Sequence, residues 1–255
     1  MKTRRHHIRP GSNSAFFLCG LVAAVLAGCA PTEKGEKQVS YKETLRDAAI
    51  VAHQSFDYEA AATHYRSLYE RDSGDTEALL GVARNLRYLG SSGEAIEAMV
   101  PGLSDHGQIP AFVLELAKSQ ITARRFDEAK KTLELAAKLL PDDWDVLSTT
   151  GIFHDYVGEF DAAQAAYGGA LELSPNNVAV INNLALSLAQ SGKLDDGIAI
   201  LAKLLNDKKS TPHTRQNLAM LYALAGDIKN AEKLARQDLP AAAALDNLAT
   251  FQQMH

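Results

Sequence analysis

Small and apolar residues recur along most of this chain at a constant spacing. A first series, nearly all alanine, advances in steps of 34 positions: Ala61, Ala95, Ala129, Ala163, Gly197 and Ala231. A second series, mostly glycine, advances in the same steps: Gly90, Arg124, Gly158, Gly192 and Gly226. A third series keeps this register with aromatic and then aliphatic residues: Tyr58, Phe126, Phe160, Leu194 and Ile228. Several residue classes held in one register indicate stacked copies of a single structural unit.

Within one unit, the pattern predicts two helices joined by a tight turn. In the unit that starts at Trp144, four residues fall at helical spacing on one face of the first helix: Leu147, Thr150, Gly151 and His154. Gly158 then ends this helix, because glycine accepts the left-handed backbone of a helix cap. On the second helix, Ala163 and Ala170 share a face and are small enough for the paired helices to come close. Pro175 stops that helix.

This period and these residue types resemble the tetratricopeptide repeat (TPR) family. The resemblance implies an all-α fold, namely an α-solenoid of about six helix pairs over residues 42–239. The units begin near positions 42, 76, 110, 144, 178 and 212. Residues 240–255 are expected to form a C-terminal capping helix with a polar outer face. The stretch "VPGLSDHGQIP", Val100 to Pro110, contains two prolines and two glycines, so we expect a shortened second helix and a looser joint there.

The first 40 residues follow a different pattern, in which a basic segment leads into a short apolar run and then into a polar stretch. The apolar run, residues 15–27, is too short to cross a bilayer as a helix, which takes about 20 residues. A basic start, a short apolar run and small residues at its end are typical of a secretory signal peptide. Leu26-Ala27-Gly28-Cys29 resembles the lipobox of bacterial lipoproteins. The alternative is an ordinary signal peptide whose cleavage site includes a cysteine.

The lipobox resemblance implies a lipid-anchored protein. Residues 1–28 would be removed as a signal peptide, Cys29 would carry the lipid, and residues 29–41 would form a flexible tether. Alanine rather than aspartate follows Cys29, which by resemblance implies transfer to the periplasmic face of an outer membrane. Cys19 would leave with the signal peptide, so the mature protein would contain no disulfide and would depend on its core for stability.

Charge argues against a nucleic-acid partner. Residues 1–28 carry four basic and no acidic residues, so the mature chain would keep 22 basic against 31 acidic residues, a net charge of −9. Binding to phosphates requires clustered lysine and arginine. We therefore expect protein partners, and contact with a membrane only through the lipid on Cys29.

No catalytic or metal-binding constellation emerges from the sequence, and we expect neither an enzyme nor a cofactor. None of the histidines is placed at metal-ligand spacing, and His154 is interpreted as a packed residue with one satisfied nitrogen. The paired acids Asp142-Asp143 and Asp195-Asp196 lie at predicted helix starts, where carboxylates favour the positive end of the helix dipole. Trp144 is interpreted as a packing residue at the start of its unit.

The candidate site is the concave groove that the first helices of stacked repeats line. Transferring the groove positions of TPR proteins onto this chain gives nine candidates: Arg84, Arg87, Tyr88, Lys118, Asn182, Asn183, Gln190, Gln216 and Asn217. Asparagine and glutamine can hydrogen-bond the backbone of an extended peptide, and arginine would suit a carboxylate. The alternative is that these are solvated residues on an ordinary helix face. The full basic set of a carboxylate clamp is not visible.

The C-terminal third adds a more specific resemblance. The segments "INNLALSLAQSGKLDDGIAIL", "TPHTRQNLAMLYALAGDIKNAEKLARQDL" and "DNLATFQQM" together resemble the TadD family, the TPR lipoproteins of the tight-adherence (Flp) pilus assembly system. The resemblance implies a non-enzymatic outer-membrane lipoprotein that helps a pilus secretin or another pilus component to assemble. One alternative is a periplasmic TPR lipoprotein that scaffolds cell-wall hydrolases or serves another pilus or secretion system. The other is an enzyme that uses the repeats as a holder.

Overall fold

The structure, a computed structural model, describes residues 40–252. Within this range it contains fourteen α-helices, one short 3₁₀ turn and no β-strand, which confirms the predicted all-α class. None of these helices has both the length and the apolar run that a membrane crossing needs. The predicted signal peptide, the lipidation site Cys29 and the tether up to residue 39 lie outside the described residues, as do residues 253–255.

Twelve of the helices form six successive pairs. The pairs are α1 Tyr41–Gln54 with α2 Tyr58–Arg71, α3 Thr76–Tyr88 with α4 Ser92–Met99, α6 Pro110–Thr122 with α7 Phe126–Leu139, α8 Trp144–Tyr156 with α9 Phe160–Leu173, α10 Val178–Gln190 with α11 Leu194–Asn206, and α12 Pro212–Leu224 with α13 Ile228–Ala235. Each second helix also packs against the first helix of the next pair, and α14 Ala241–Gln252 covers α12 and α13. The predicted solenoid of six pairs with a capping helix is confirmed.

The small-residue series lies where the helices approach most closely. Ala61, Ala95, Ala129, Ala163 and Ala231 are all fully buried. Gly197 takes the alanine position in the fifth pair, and a Cβ atom there would lie only 2.5 Å from the carbonyl oxygen of Ala185 on the neighbouring helix. The expectation that Ala163 and Ala170 lie where paired helices come close is confirmed, since both are fully buried.

The turn inside each pair uses one left-handed residue. Gly90, Gly158, Gly192 and Gly226 have φ between 80° and 85°, and Arg124 has φ of 58°. At Gly158 the backbone N–H donates to the carbonyl of Asp155, and the N–H of Glu159 donates to His154, which satisfies the end of α8. Phe56, with φ of 62°, extends the series by one more step toward the N-terminus.

Helix α4 is short, and the irregular segment that follows it is well packed. Helix α4 has only eight residues and is followed by the 3₁₀ turn Val100–Gly102 and by α5, Leu103–His106. The expected shortened helix is confirmed. The expected loose joint is wrong, because His106 is buried and its ring nitrogens contact the hydroxyl of Thr76 at 2.9 Å and the carbonyl of Ser73 at 3.2 Å.

Candidate protein-binding groove

A groove runs along the first helices of the second to fifth pairs. Its floor is an open pocket of about 350 Å³ that reaches from Tyr88 on α3, past Lys118 and Trp144, to Ile152 and Asn183. We call this surface the first-helix groove. It combines aromatic, aliphatic and amide side chains on a rigid helical scaffold, a composition that suits a polypeptide segment.

The basic side chains of the groove are already paired with acids. Arg87 donates from Nε to the Oε1 atom of Glu115 at 2.8 Å, and Arg84 lies 3.7 Å from the same carboxylate, which is almost fully buried. Burial is the largest single influence and would lower the pKa of the Arg87 guanidinium, but the charge and hydrogen bond of Glu115, with smaller contributions from Tyr88, together raise this pKa. Lys118 contacts both carboxylate oxygens of Asp145, at 2.7 and 2.8 Å. These cations are therefore poor candidates for binding a free carboxylate.

Asn182 does not lie on the groove surface, so its assignment as a groove residue needs correction. Its side chain is 3% exposed, and Nδ2 donates to the carbonyl of Val178 at 2.7 Å and to the hydroxyl of Thr214 at 3.0 Å. Its Oδ1 atom accepts from Nδ2 of Asn217 at 3.0 Å. Asn182 and Asn217 therefore link α10 to α12, and the hydrogen bonds between them engage groups that a bound peptide would otherwise use.

Gln216 is also engaged within the protein. Its Nε2 atom lies 3.4 Å from both the carbonyl of Ala235 and a carboxylate oxygen of Asp238, while its Oε1 atom is buried without a partner among the described residues. The asparagine and glutamine that remain for a partner are Asn183, which lines the groove, and the exposed Gln190.

Aromatic residues occupy more of the groove than the sequence indicated. Tyr88 is 49% exposed and stacks on Tyr58 with ring centroids 5.0 Å apart. Tyr156 is 45% exposed, and Trp144, which was expected only to pack, is 37% exposed and lines the groove. Tyr156 follows Tyr88 by two full periods, so the repeat spacing that identified Tyr88 as a groove residue could also have identified Tyr156.

A second pocket continues the groove toward the fifth pair. It measures about 350 Å³ and shares Ile152 and Asn183 with the first. Asp155 lies in its wall, where it accepts hydrogen bonds from the hydroxyls of Ser187, at 2.6 Å, and Tyr167, at 2.7 Å. Burial raises the pKa of the Asp155 carboxyl, although both hydrogen bonds oppose this shift. The sequence did not single out Asp155, because one isolated aspartate does not form a recognisable catalytic or binding motif.

Comparison with known proteins agrees with this geometry. Residues 157–213 match the family model for the tetratricopeptide repeat. A thermophilic TPR protein of Thermus thermophilus superposes with a TM-score of 0.64 at 21% identity, over 71% of this chain and 98% of that one. The chain has the TPR fold. A TPR protein of Parabacteroides merdae superposes with a TM-score of 0.70 at 11% identity, over 82% of this chain and 84% of that one.

A curated relative covers only part of the chain. Protein y4yS of Sinorhizobium fredii (strain NGR234) is 33% identical over 117 residues, which is 45% of this chain and 64% of that protein. The chain thus spans less than two thirds of that relative's length. TPR folds are generally non-enzymatic scaffolds for protein–protein interaction, and the matched family is not a catalytic one.

The titratable residues considered in the sequence have structural roles in this TPR solenoid. The His154 ring contacts a carboxylate oxygen of Glu159 through Nδ1 at 2.7 Å, which confirms one satisfied nitrogen, and the ring itself is partly exposed. Asp143 caps α8 by accepting from two backbone N–H groups, at 2.8 and 3.0 Å. Asp195 and Asp196 lie in the first turn of α11, as predicted from the helix dipole.

Proposed function

We propose that this protein is a lipid-anchored TPR scaffold that binds a segment of an outer-membrane pilus component, with a secretin of the tight-adherence (Flp) system as the first candidate. The observation that carries the proposal is the row of exposed side chains along the first-helix groove, where Tyr88, Trp144 and Tyr156 stand beside Asn183. Aromatic side chains that are fixed on helices supply contact area at a low entropic cost, which suits them as anchors for a partner.

Two sequence features support the more specific part of the proposal. The Leu26-Ala27-Gly28-Cys29 motif supports an anchor at an outer membrane, and the residues of the last two pairs support membership of the TadD family. A tethered scaffold at the inner face of that membrane would meet its partner at a high effective concentration. At such a concentration, a modest affinity of the groove for the partner segment would be sufficient for binding.

The test is a deletion strain complemented with defined variants. We expect the deletion to reduce secretin multimers in the outer membrane and to abolish pili, and the wild-type gene to restore both. The groove variant Tyr88→Ala/Trp144→Ala/Asn183→Arg should fail to restore them while it remains folded and membrane-bound. Lys130→Glu, on the exposed face of α7, serves as the control and should complement fully.

Each result bears on a different part of the proposal. Normal multimers and pili in the deletion strain would reject the pilus function and leave a scaffold for cell-wall hydrolases or for another secretion system. Full complementation by the groove variant would place the binding surface elsewhere. The anchor is tested separately, because Cys29→Ala should lose fatty-acid labelling and membrane fractionation. If the variant kept both, Cys29 would not be the lipidation site.

A further inference from the structure

Asp155 is a groove carboxylate without a cationic partner. The other acids that line or border the groove are neutralised, as Glu115 is by Arg87 and Asp145 is by Lys118. Asp155 instead accepts from two neutral hydroxyl groups and forms no ion pair with any residue between 40 and 252, and the charge of the adjacent His154 is the smallest influence on its pKa. The ring of the adjacent His154 is directed to Glu159.

The repeat itself does not require an acid at this position. Counting in periods of 34 from Asp155, the equivalent residues of the other pairs are His53, Arg87, Ile121, Ala189 and Ala223. Some of these are apolar, so the stacking of first helices tolerates an uncharged side chain here. Asp155 has a structural role as the acceptor for the Ser187 and Tyr167 hydroxyls. A half-buried carboxylate still costs solvation free energy, which these neutral donors offset only in part because they do not balance its charge.

The walls around Asp155 fit the side chain of a basic residue. The pocket is about 350 Å³ in volume, which is near the lower end of the range for ligand pockets, roughly 300–1,000 Å³. Tyr156 is half exposed at its edge and offers an aromatic face, which attracts an ammonium or guanidinium group. The amide groups of Asn183 and Gln190 also line the pocket and can accept hydrogen bonds from such a group.

We propose that this pocket receives one lysine or arginine side chain of the partner segment, with the Asp155 carboxylate as its counterion. The inference rests on the proposed function, because it assumes that a polypeptide occupies the first-helix groove. It adds a requirement to that function, namely a basic residue near one end of the bound segment and apolar residues where the segment crosses Trp144 and Tyr88. The raised pKa of Asp155 should fall when the cation docks, since a nearby positive charge favours the ionised carboxylate.

The experiment is a selection from a random twelve-residue phage-displayed peptide library on the full chain in mild detergent. Asn183→Trp, which blocks the middle of the groove, identifies peptides that bind there. We expect those groove-dependent peptides to share a lysine or arginine at one aligned position. The dissociation constant of a synthetic consensus peptide should rise at least tenfold for Asp155→Asn, and equally when norleucine replaces the basic residue in the peptide.

Controls separate the inference from the underlying function. Asp127→Asn removes an equal charge from an exposed site on α7 and should leave affinity unchanged. Groove-dependent peptides without a shared basic residue, or with equal affinity for Asp155→Asn, would overturn the cation pocket and keep the groove. A library without any groove-dependent peptide would overturn both. If Asp155→Asn proved unfolded by its melting curve, the norleucine peptide on the wild-type chain would still decide, because unchanged affinity would reject the pocket.

Discussion

The two halves of the solenoid join their first helices by different chemistry. In the N-terminal half each junction contains an ion pair: Arg46 with Asp75, Arg87 with Glu115, and Lys118 with Asp145. In the C-terminal half the junctions contain no ion pair among the described residues: the Ser187 hydroxyl donates to the Asp155 carboxylate, and Asn182 bonds to Thr214 and Asn217. The same stacking geometry therefore accepts either an ion pair or hydrogen bonds without a cation. The choice determines how each half responds to salt, pH and mutation.

The largest effect should come from breaking the buried ion pair of the N-terminal half. Arg87→Met would leave the Glu115 carboxylate charged in a buried site, with only Arg84 nearby at 3.7 Å. We expect a loss of about 3 kcal/mol in the free energy of unfolding, measured by urea denaturation. The double variant Arg87→Met/Glu115→Gln should recover most of this loss, because it removes the uncompensated charge. Equal losses in the single and double variants would contradict the explanation.

The corresponding neutral bridge should be weaker but independent of salt. Asn182→Leu would leave the Asn217 amide without its partner and the Thr214 hydroxyl with Thr211 alone, which should cost about 2 kcal/mol at both low and high salt. Asn183→Leu, one residue along the same helix, is the matched control and should change stability by less than about 0.5 kcal/mol. A loss for Asn182→Leu that disappears in 1 M salt, where charges are screened within roughly 3 Å, would show that the bridge is not neutral.

The halves also differ in their turns, and this difference offers a stabilising change. Inside the pairs, the N-terminal half holds two non-glycine residues, Phe56 and Arg124, in left-handed conformation, whereas the turns after α8, α10 and α12 use glycine. The C-terminal half has a left-handed non-glycine residue only between pairs, at Lys208. Arg124→Gly should stabilise the chain by about 0.5–1 kcal/mol, the relief of backbone strain being partly offset by the greater freedom of the unfolded chain. The converse change, Gly158→Ala, should destabilise by a similar amount. If Arg124→Gly did not raise the melting temperature, the left-handed backbone at Arg124 would carry no strain in the wild-type protein.

The smallest effect is expected at Asp155, on the border between the two halves. Folding raises the pKa of this carboxyl, so the protonated form is favoured in the folded state. Its contribution to stability is therefore greatest below the ordinary pKa of 3.8 and is lost as pH rises through the folded value. Asp155→Asn should be more stable than wild type at pH 7, by less than about 1 kcal/mol because the site is partly exposed to solvent. Melting curves between pH 3 and pH 8 should show the stability difference between Asp155→Asn and wild type shrinking toward acid. A difference that is the same at every pH would contradict the raised pKa of Asp155.

The architecture was predictable because one period controls it. The spacing of Ala61 to Ala231 marks where helices approach, and the spacing of Gly90 to Gly226 marks where they turn. Each requirement is local and steric, so it repeats with each unit and can be recognised in the sequence alone. The packed joint at His106 could not be predicted in this way, because its hydrogen bonds to Thr76 and Ser73 occur in one unit only.

The groove was harder to predict because position and accessibility are different properties. The register placed Asn182 and Asn183 side by side on α10, but only the three-dimensional packing directs the first toward α12 and the second into the groove. The ion pairs were also missed, since Arg87 and Glu115 are 28 residues apart and Lys118 and Asp145 are 27 apart. Partners at these separations do not coincide with the repeat, so the periodic pattern did not reveal that the groove cations are already neutralised.

The irregular segment between α4 and α6 has a consequence for the alignment of the whole binding surface. Although α4 is short and α5 intervenes, the distance from the start of α3 at Thr76 to the start of α6 at Pro110 is still 34 residues. In a stacked array, each unit is seated on the one before it, so we expect a gain or loss of one residue here to displace every later unit. With the length constant and His106 packed against Thr76 and Ser73, Tyr88 and Tyr156 keep equivalent repeat positions on either side of the irregularity, and the first-helix groove continues across it.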